Sequence, residues 1–458
     1  MVFEIGYNWV KLSNFVVTHE EFVLIFRAMA YYNTKQRLAG GVPLNTLKEE
    51  YELYTFSNGI RLAHKQVSNT RIAHCGIMLD IGSRDEKPEQ EGLAHFWEHM
   101  AFKGTEKRRS HHIINSLERV GGELNAYTTK EKICFHASVL DEHFSKAADL
   151  LTDITFHSVF PEKQIDRERN VILEEMAMYR DSPEDAIQDD FDAMVFGGHS
   201  LGYNILGTAE TVGSFTKEDL GKFIKDNLDT SRIIFSSVSR FPMQKVIRIV
   251  GKYLEDIPAT SVVRSRVSPS VYSPQTKTVS RDLVQVQCAL GKTAYSLDDE
   301  RRLHLFILTN LLGGPGMNSR FNMALREKHG FVYAIDASYT PYLDSGFFGV
   351  FFGTERKHLD KSISLVMKEF RKLRETPLTG AQLHYTKGQI MGQLAMSEES
   401  NNSFMLMMAK SLLDVRKVES LSEIFEKIRL ITSSQLHEVA RDMFDESQFS
   451  CLTYFPEE

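Results

Sequence analysis

The chain has 458 residues, of which 42% are hydrophobic and 25% are charged, as in ordinary globular proteins. A single hydrophobic core does not grow to this length, so two or more domains are expected. The net charge of −7 gives no electrostatic reason to expect nucleic acid as a partner.

Cysteine usage and hydropathy indicate the compartment. The four cysteines form no CxxC pair and suggest no disulfide framework. No apolar run approaches the roughly 20 residues that span a bilayer, and the best candidate, 22–32, is interrupted by Arg27. The N-terminal segment carries Glu4 and lacks a basic start, which argues against a secretory signal. We therefore expect a cytoplasmic protein with no membrane partner.

The first elements in chain order lead to a candidate site. Residues 1–50 form an extension without a motif, in which FVLIFRAMAYY (22–32) is typical of a short helix. The stretch 56–67 predicts a hairpin that turns at Asn58-Gly59. A mostly apolar strand is predicted over 72–84, and the helix that contains GLAHFWEHM (92–100) follows it.

The rest of the first half alternates helical and strand-like patterns. We predict helices at 110–122, capped by Ser110, at 141–156, from Pro161 onward and at 214–228, capped by Thr216, and strands at 123–140 and 231–241. This order predicts a mixed α/β fold for residues 51–258.

A Ser- and Pro-rich stretch, 259–277, is the best linker candidate, and the pattern restarts beyond it. Residues 283–300 resemble 72–86, a strand followed by an acidic turn. A helix at 301–314, a strand pair at 330–355 and two helical segments complete the chain. We infer an internal duplication of about 200 residues per copy, so that 278–458 forms a second domain without an HFWEH-like motif.

Within the motif, His95 and His99 lie four positions apart with Glu98 between them. Residues at this spacing share one face of a helix, so both imidazoles can bind one metal ion. The pattern HxxEH is the inverted form of the zinc-protease motif HExxH. An ordinary polar helix face is the alternative reading.

A second helix, in ERNVILEEM, places Glu168 and Glu175 seven positions apart on one stripe. Carboxylates on a partly apolar stripe are costly to bury unless they bind something. Glu175 is thus a candidate third ligand, and Glu168 a candidate for a supporting position. A solvated acidic face remains the alternative.

The chain resembles the pitrilysin, insulin-degrading enzyme and mitochondrial processing peptidase family over about 53–458. The resemblance rests on motifs that occur in the family's order: GSRDE, GLAHFWEHMAFKGT, GGELNAYTTKE, ERNVILEE, HSLGYNILGTAETVGSFTKEDL and REKHGFVYAIDASYTPYLDSGFF. It implies an α+β fold of two homologous domains, each a mainly antiparallel sheet packed against helices.

The resemblance also implies roles for individual residues. One zinc ion would be bound by His95, His99 and Glu175. Glu98 would be the general base, supported by the carboxylate of Glu168. The implied substrate strand contains Asn125, Ala126 and Tyr127, and Arg326 and Tyr333 would contact the substrate and stabilise its oxyanion.

The expected function is that of a zinc endopeptidase that cleaves peptides or unstructured segments in a clamshell chamber. Long family members fuse four such units, with the zinc in the first and the Arg/Tyr pair in the last. This chain has two units but both features, so a homodimer is the simplest closed assembly. A heterodimer, a non-catalytic partner subunit and a peptidase dedicated to one precursor remain alternatives.

Overall fold

The structure, a computed structural model, describes residues 51–264 and 266–457. The extension 1–50, with the helix predicted at 22–32, lies outside the described residues. The described part confirms the predicted mixed α/β class, with two mainly antiparallel sheets and helices packed on them.

The first sheet has six strands, β1 Glu52–Thr55, β2 Arg61–Gln66, β3 Ile72–Leu79, β4 Glu123–Thr128, β5 Ile133–Leu140 and β6 Ile233–Ser239. Their order is β1-β2-β6-β3-β5-β4, and only β2 and β6 run parallel. The predicted hairpin is present between β1 and β2, and it turns at Gly59, whose φ of 94° suits glycine. Among the described strands, β4 lies at the sheet edge and pairs only with β5.

The second sheet has five strands, β7 Thr276–Arg281, β8 Val286–Thr293, β9 Val332–Pro341, β10 Gly346–Thr354 and β11 Ser450–Pro456. Their order is β7-β11-β8-β10-β9. Five strands of each sheet can be numbered along the chain, starting with β2 in the first sheet and with β7 in the second. In both sheets these strands then lie in the order first, fifth, second, fourth, third, and the first and fifth form the parallel pair. This shared topology agrees with an internal duplication, in which the edge strands β4 and β9 correspond.

Helices cover both faces of the sheets. Those of the first half are α1 Leu93–Ala101, α2 Ser110–Glu118, α3 Phe144–Phe156, α4 Glu162–Arg180, α5 Pro183–Phe196, α6 Ala209–Ser214, α7 Lys217–Asn227 and α8 Met243–Leu254. Those of the second half are α9 Arg302–Gly313, a π-helix Asn322–Glu327, α10 Leu359–Glu375, α11 Gly380–Glu398, α12 Asn401–Asp414, α13 Leu421–Leu430 and α14 Ser433–Met443.

The two halves exchange one helix each. Helix α12 of the second half packs on strands β3 and β6 of the first sheet, where Met405 and Met408 are buried with Ile234 and Val238. Helix α5 of the first half packs on β8 and β11 of the second sheet. Each half therefore covers one sheet face with a helix from the other half.

Several predicted element boundaries were wrong. The stretch 123–140 is not one strand but the hairpin β4–β5. Helix α2 begins at Ser110 itself, with Arg109 at the N-cap position, and Pro161 caps α4 rather than opening it. Five helices and β11, instead of two helical segments, follow β10. The cap at Thr216 is confirmed, because its hydroxyl accepts the backbone N–H of Asp219.

The described residues between α8 and β7 form no helix or strand, yet two arginines among them bind the first half. Arg264 Nη1 lies 2.9 Å from Asp80 Oδ2, and Arg266 Nη2 lies 2.8 Å from Asp85 Oδ2. Arg84 reaches both Glu131 and Asp344, which belong to different halves, at 2.6 Å each. These ion pairs hold the two halves together.

No helix among the described residues is long and apolar enough to cross a membrane.

Candidate metal centre

Helix α1 places the two histidines of the motif by burying its apolar side. Leu93, Phe96, Trp97 and Met100 pack into the core of the first half. The remaining face carries His95, Glu98 and His99 and turns toward α4. The HxxEH spacing thus puts all three polar side chains on the side away from the core.

The start of α1 is fixed by a buried carboxylate and by close backbone packing. Glu86 accepts the backbone N–H groups of Gly92 at 2.9 Å and Ala94 at 2.7 Å. Gly92 has a φ of 95°, and a Cβ there would lie 2.6 Å from the carbonyl oxygen of Leu206. Only glycine lets the chain enter α1 so close to the turn at Gly207.

Three side chains converge at the centre. One possible ligand atom from each of His95, His99 and Glu175 lies within 4.8 Å of the others. Glu175 Oε2 is 3.9 Å from His95 Nε2 and 3.6 Å from His99 Nε2. Ligands that share one ion at about 2.0–2.2 Å are separated by such distances. Two imidazole nitrogens and one carboxylate oxygen are also a donor set that catalytic zinc takes.

Glu168 orients His99. Its Oε1 lies 3.0 Å from His99 Nδ1, and its Oε2 lies 2.6 Å from Lys103 Nζ. Because an ionised carboxylate can only accept the Nδ1 proton, neutral His99 has its lone pair on Nε2, the nitrogen that lies on the side of Glu175 and would bind a metal ion. Burial raises the pKa of Glu168, but the bonds to His99 and Lys103 outweigh burial and lower its pKa overall.

The protonation of the three convergent residues responds to burial and to one another. Burial, followed by the charge of His99, lowers the pKa of His95 well below its ordinary value. Burial alone would lower the pKa of His99, but the bond to Glu168 and the charges of Glu98 and Glu175 raise it overall. Burial raises the pKa of Glu175. A neutral His95 is in the form that binds a metal ion.

Glu98 lies beside this cluster without being one of its three convergent residues. Thr128, at the end of β4, donates its hydroxyl to Glu98 Oε2 at 2.6 Å. Burial raises the pKa of Glu98 to about 6, although His99 and the Thr128 bond oppose the shift. A carboxylate with such a pKa can accept a proton near neutral pH and release it again.

The predicted substrate strand lies on β4, next to Glu98. Asn125, Ala126 and Tyr127 are half-buried, and their strand pairs with β5 on one side only. The backbone on the other side of β4 is an open sheet edge among the described strands. Such an edge can accept an added strand.

Arg326 and Tyr333 lie close to each other. The guanidinium carbon of Arg326 is 5.5 Å from the ring centroid of Tyr333, which is 84% exposed. Arg326 lies in the π-helix and Tyr333 near the start of β9. Among the described residues, no hydrogen bond or ion pair joins either side chain to the metal-centre residues.

Three further residues act on the centre and were not predicted from the sequence: Glu86, Lys103 and Thr128. Lys103 lies two positions beyond the end of α1, so helical spacing does not indicate it. Thr128 reaches Glu98 through a tertiary contact, and Glu86 acts through the backbone at the start of α1. The sequence carries no periodic signal for either contact.

The fold and the donor set define a class, that of two-domain α/β proteins with an inverted HxxEH centre. The family model for the insulinase family, peptidase family M16, matches residues 61–209, and the model for the peptidase M16 inactive domain matches 214–390. The chain belongs to peptidase family M16.

Bacterial relatives match over most of their length. The chain is 34% identical to the uncharacterized zinc protease YmxG of Bacillus subtilis, over 86% of this chain and 95% of that protein. It is 30% identical to an uncharacterized zinc protease of Streptomyces coelicolor, over 91% of each chain.

Solved structures share the fold. A peptidase M16 inactive domain from Pseudomonas fluorescens aligns with a TM-score of 0.82 at 15% identity, over 89% of this chain and 98% of that one. A protease from Helicobacter pylori aligns with a TM-score of 0.81 at 21% identity, over 89% and 99%.

Proposed function

We propose that this chain is a zinc metallopeptidase that cleaves peptides or unstructured protein segments at internal bonds. The observation that carries the proposal is the convergence of His95, His99 and Glu175 within 4.8 Å on helices α1 and α4. The relatives in Bacillus and Streptomyces named zinc proteases support it. His95, His99 and Glu175 would hold the zinc ion.

Different side chains of the protein would transfer the proton and position the reacting groups. When bound, zinc polarises a water molecule and the scissile carbonyl. Glu98 takes the proton of the attacking water on its carboxylate and passes it to the leaving amine. The Thr128 hydroxyl fixes Oε2 of Glu98, which leaves Oε1 for this proton transfer. Glu168 keeps His99 in the tautomer that binds metal.

The substrate backbone binds as an added strand on the open edge of β4. Main-chain hydrogen bonds to the segment Asn125–Tyr127 hold an extended peptide with little dependence on its sequence. The position of Thr128 at the end of the same strand brings the bound peptide next to Glu98. A folded protein cannot offer an extended strand to this edge, so unstructured substrates are favoured.

The Arg/Tyr pair suggests that two chains form the chamber. Tyr333 is 84% exposed, and among the described residues no hydrogen bond or ion pair joins it or Arg326 to the metal-centre residues. In a homodimer whose halves face each other, Arg326 and Tyr333 complete the partner's site and stabilise its oxyanion. A heterodimer with a different sister chain is the second possibility.

A cytoplasmic location is part of the same proposal. The four cysteines are free thiols, as expected in the reducing cytoplasm.

The second half lacks an HxxEH motif, in agreement with the inactive-domain match, while the first half keeps all the residues of the centre. A non-catalytic partner subunit would have no need of them. A peptidase dedicated to one precursor would use the same centre.

The test combines metal analysis with cleavage of an unbiased peptide library. The wild type should retain one zinc per chain and cleave internal bonds, while Glu98→Gln should retain zinc and lose at least about 100-fold in rate. His99→Ala should lose both zinc and activity, and His384→Ala, an exposed histidine on α11, should lose neither. Full zinc content and rate in His99→Ala would contradict the assignment.

A further inference from the structure

A surface cavity next to the metal centre is lined by positively charged side chains. It has a volume of about 540 Å³ and lies between the start of α2, the loop after α1 and the start of α4. The positively charged or ionisable side chains that line it are Lys103, Arg108, Arg109, His111 and Arg167. None of the described residues that line it is acidic, although the chain carries a net charge of −7.

The cations of this cavity differ in whether they already have partners. Lys103 is paired with Glu168 and Arg108 with Asp149 and Asp153. Arg109 and Arg167 have no carboxylate within 4 Å among the described residues, and both are exposed at the cavity. Two guanidinium groups are thus available to a ligand, and the two paired cations beside them add positive charge.

A comparison within the molecule shows that this composition is not general. A larger cavity of about 710 Å³, between α10 and α14, is also lined by three arginines. There the arginines alternate with Glu375, Glu438 and Asp442, so the lining has no excess of positive charge suited to an anion. Of these two cavities, the one beside the metal centre has free guanidinium groups and no carboxylate among the described residues of its lining.

Two lining residues connect the cavity to the metal centre. Lys103, in the loop after α1, has its Nζ 2.6 Å from Glu168 Oε2, and Glu168 Oε1 lies 3.0 Å from His99 Nδ1. Gln164, another lining residue, lies four positions before Glu168 on α4, which is one helical turn or about 5.4 Å. A ligand in the cavity would therefore lie near the residues that orient His99.

We propose that this cavity is an oxyanion-binding site that takes a carboxylate or phosphate group on Arg109 and Arg167. Guanidinium groups bind both kinds of anion through paired N–H donors. The anion has two possible sources, a free anion in solution or an acidic side chain of the bound peptide. The second source rests on the proposed peptidase function, whereas binding of a free anion does not.

The first experiment measures binding of inorganic phosphate to the zinc-loaded full chain by calorimetry. The double variant Arg109→Gln with Arg167→Gln should bind phosphate at least about tenfold more weakly than the wild type. Arg119→Gln, on an exposed arginine at the other end of α2, should bind like the wild type. Because all three proteins keep the same metal centre, phosphate that contacts zinc contributes equally to each.

Phosphate affinity of the wild type should also fall as sodium chloride is raised, since the groups are exposed. Equal phosphate affinity in the wild type and the double variant would overturn the proposal. Both arginines are exposed, and unchanged thermal unfolding of the double variant would show that its fold is intact.

The second experiment identifies the source with two peptides that differ only by glutamate or glutamine beside the cleaved bond. If the anion belongs to the substrate, the wild type should prefer the glutamate peptide in kcat/KM by about tenfold, and the double variant should lose that preference. Phosphate binding without any such preference would assign the site to a free anion. If the chain cleaves neither peptide, the phosphate measurement still decides whether the site exists.

Discussion

At the scale of single residues, Glu86 shows how a side chain outside the motif determines the geometry of the centre. Its buried carboxylate accepts two N–H groups at the start of α1, the helix that carries His95 and His99. Removing it would leave both donors unpaired in a buried position. A small shift of α1 would then move both histidines relative to Glu175 on α4.

We therefore predict that Glu86→Ala lowers the free energy of unfolding by about 2 kcal/mol and weakens zinc binding. Glu89→Ala, on an exposed carboxylate of the same loop, should change neither property. Denaturant unfolding and competitive zinc titration measure the two effects. Unchanged stability and zinc affinity in Glu86→Ala would show that this carboxylate does not position the helix.

His136 on β5 gives a prediction of how stability depends on pH. It is only 7% exposed, and burial, with a smaller effect from His74, lowers its pKa to about 4. The unfolded chain takes up this proton near pH 6.5, whereas the folded chain takes it up near pH 4. The unfolded state thus binds more protons in this window, so stability falls as the pH drops from about 6.5 toward 4.

The expected loss from His136 is on the order of 3 kcal/mol by pH 4. In His136→Gln, the slope of unfolding free energy against pH should decrease by this contribution. His384→Gln, at an exposed position, should keep the wild-type slope. Urea unfolding at a series of pH values makes the comparison, and identical slopes in His136→Gln and the wild type would refute the prediction.

The residues of the centre differ in how far the sequence could predict them. The HxxEH spacing places His95 and His99 on one helix face without tertiary information. The two-turn spacing of Glu168 and Glu175 made Glu175 a candidate ligand. Its approach to the histidines depends on the packing of α4 against α1, and the resemblance to a family implied that approach. Thr128 could not be found from the sequence, because its contact with Glu98 joins two segments whose relative position only the fold determines. Glu86 contacts residues only six and eight positions away, but its irregular loop gives no periodic pattern that predicts those bonds.

At the scale of elements, the hairpin β4–β5 was the main error of sequence analysis. Its turn contains no glycine, asparagine or proline, the usual turn residues. Instead, the Thr129 hydroxyl accepts the N–H of Lys132 at 2.9 Å, and Lys132 lies buried between Asp80 and Asp414 at 2.9 and 2.8 Å. A threonine side chain and buried ion pairs stabilise this turn. The pattern of β-branched residues in the sequence does not predict it.

Helix α5 gives the element-scale prediction. Phe191 is fully buried, and its ring lies 5.9 and 6.1 Å from the rings of Phe347 and Phe351 on β10. It also occupies the space over Gly291, where a Cβ would approach it to 2.8 Å. Its side chain therefore joins a helix of the first half to the sheet of the second half.

Phe191→Ala should lower the free energy of unfolding by about 3–5 kcal/mol, because it leaves a cavity between the halves. Glu184→Ala, on the exposed side of α5, should stay within about 0.5 kcal/mol of the wild type. Denaturant unfolding of both variants tests the difference. A loss below about 1 kcal/mol for Phe191→Ala would mean that α5 is not needed to cover the second sheet.

At the scale of the whole molecule, the exchanged helices and the ion pairs of Arg84 join the two halves within one chain. The duplicated topology places β4, beside Glu98, and β9, with Tyr333, at corresponding sheet edges. Among the described residues, no hydrogen bond or ion pair joins Arg326 or Tyr333 to the metal-centre residues of their own chain. In the homodimer that we propose, a second copy faces the first and each Arg/Tyr pair reaches the partner's centre.

Mixing two inactive variants tests this arrangement. One carries Glu98→Gln, and the other carries Arg326→Ala with Tyr333→Phe. If the pair acts on the partner's site, a mixed dimer has one site with both defects and one intact site. Each mixed dimer should then recover about half the activity of a wild-type dimer.

If the pair acted within its own chain, every site of a mixed dimer would carry one defect and mixing would restore nothing. Peptide cleavage after incubation of the mixture measures recovery, and fluorescence transfer between labelled chains confirms that subunits have exchanged. Glu98→Gln mixed with itself controls for mixing alone. No recovery after confirmed exchange would reject the shared site, and full activity of a monomer would reject the dimer, because a single chain would then hold every group that the reaction needs.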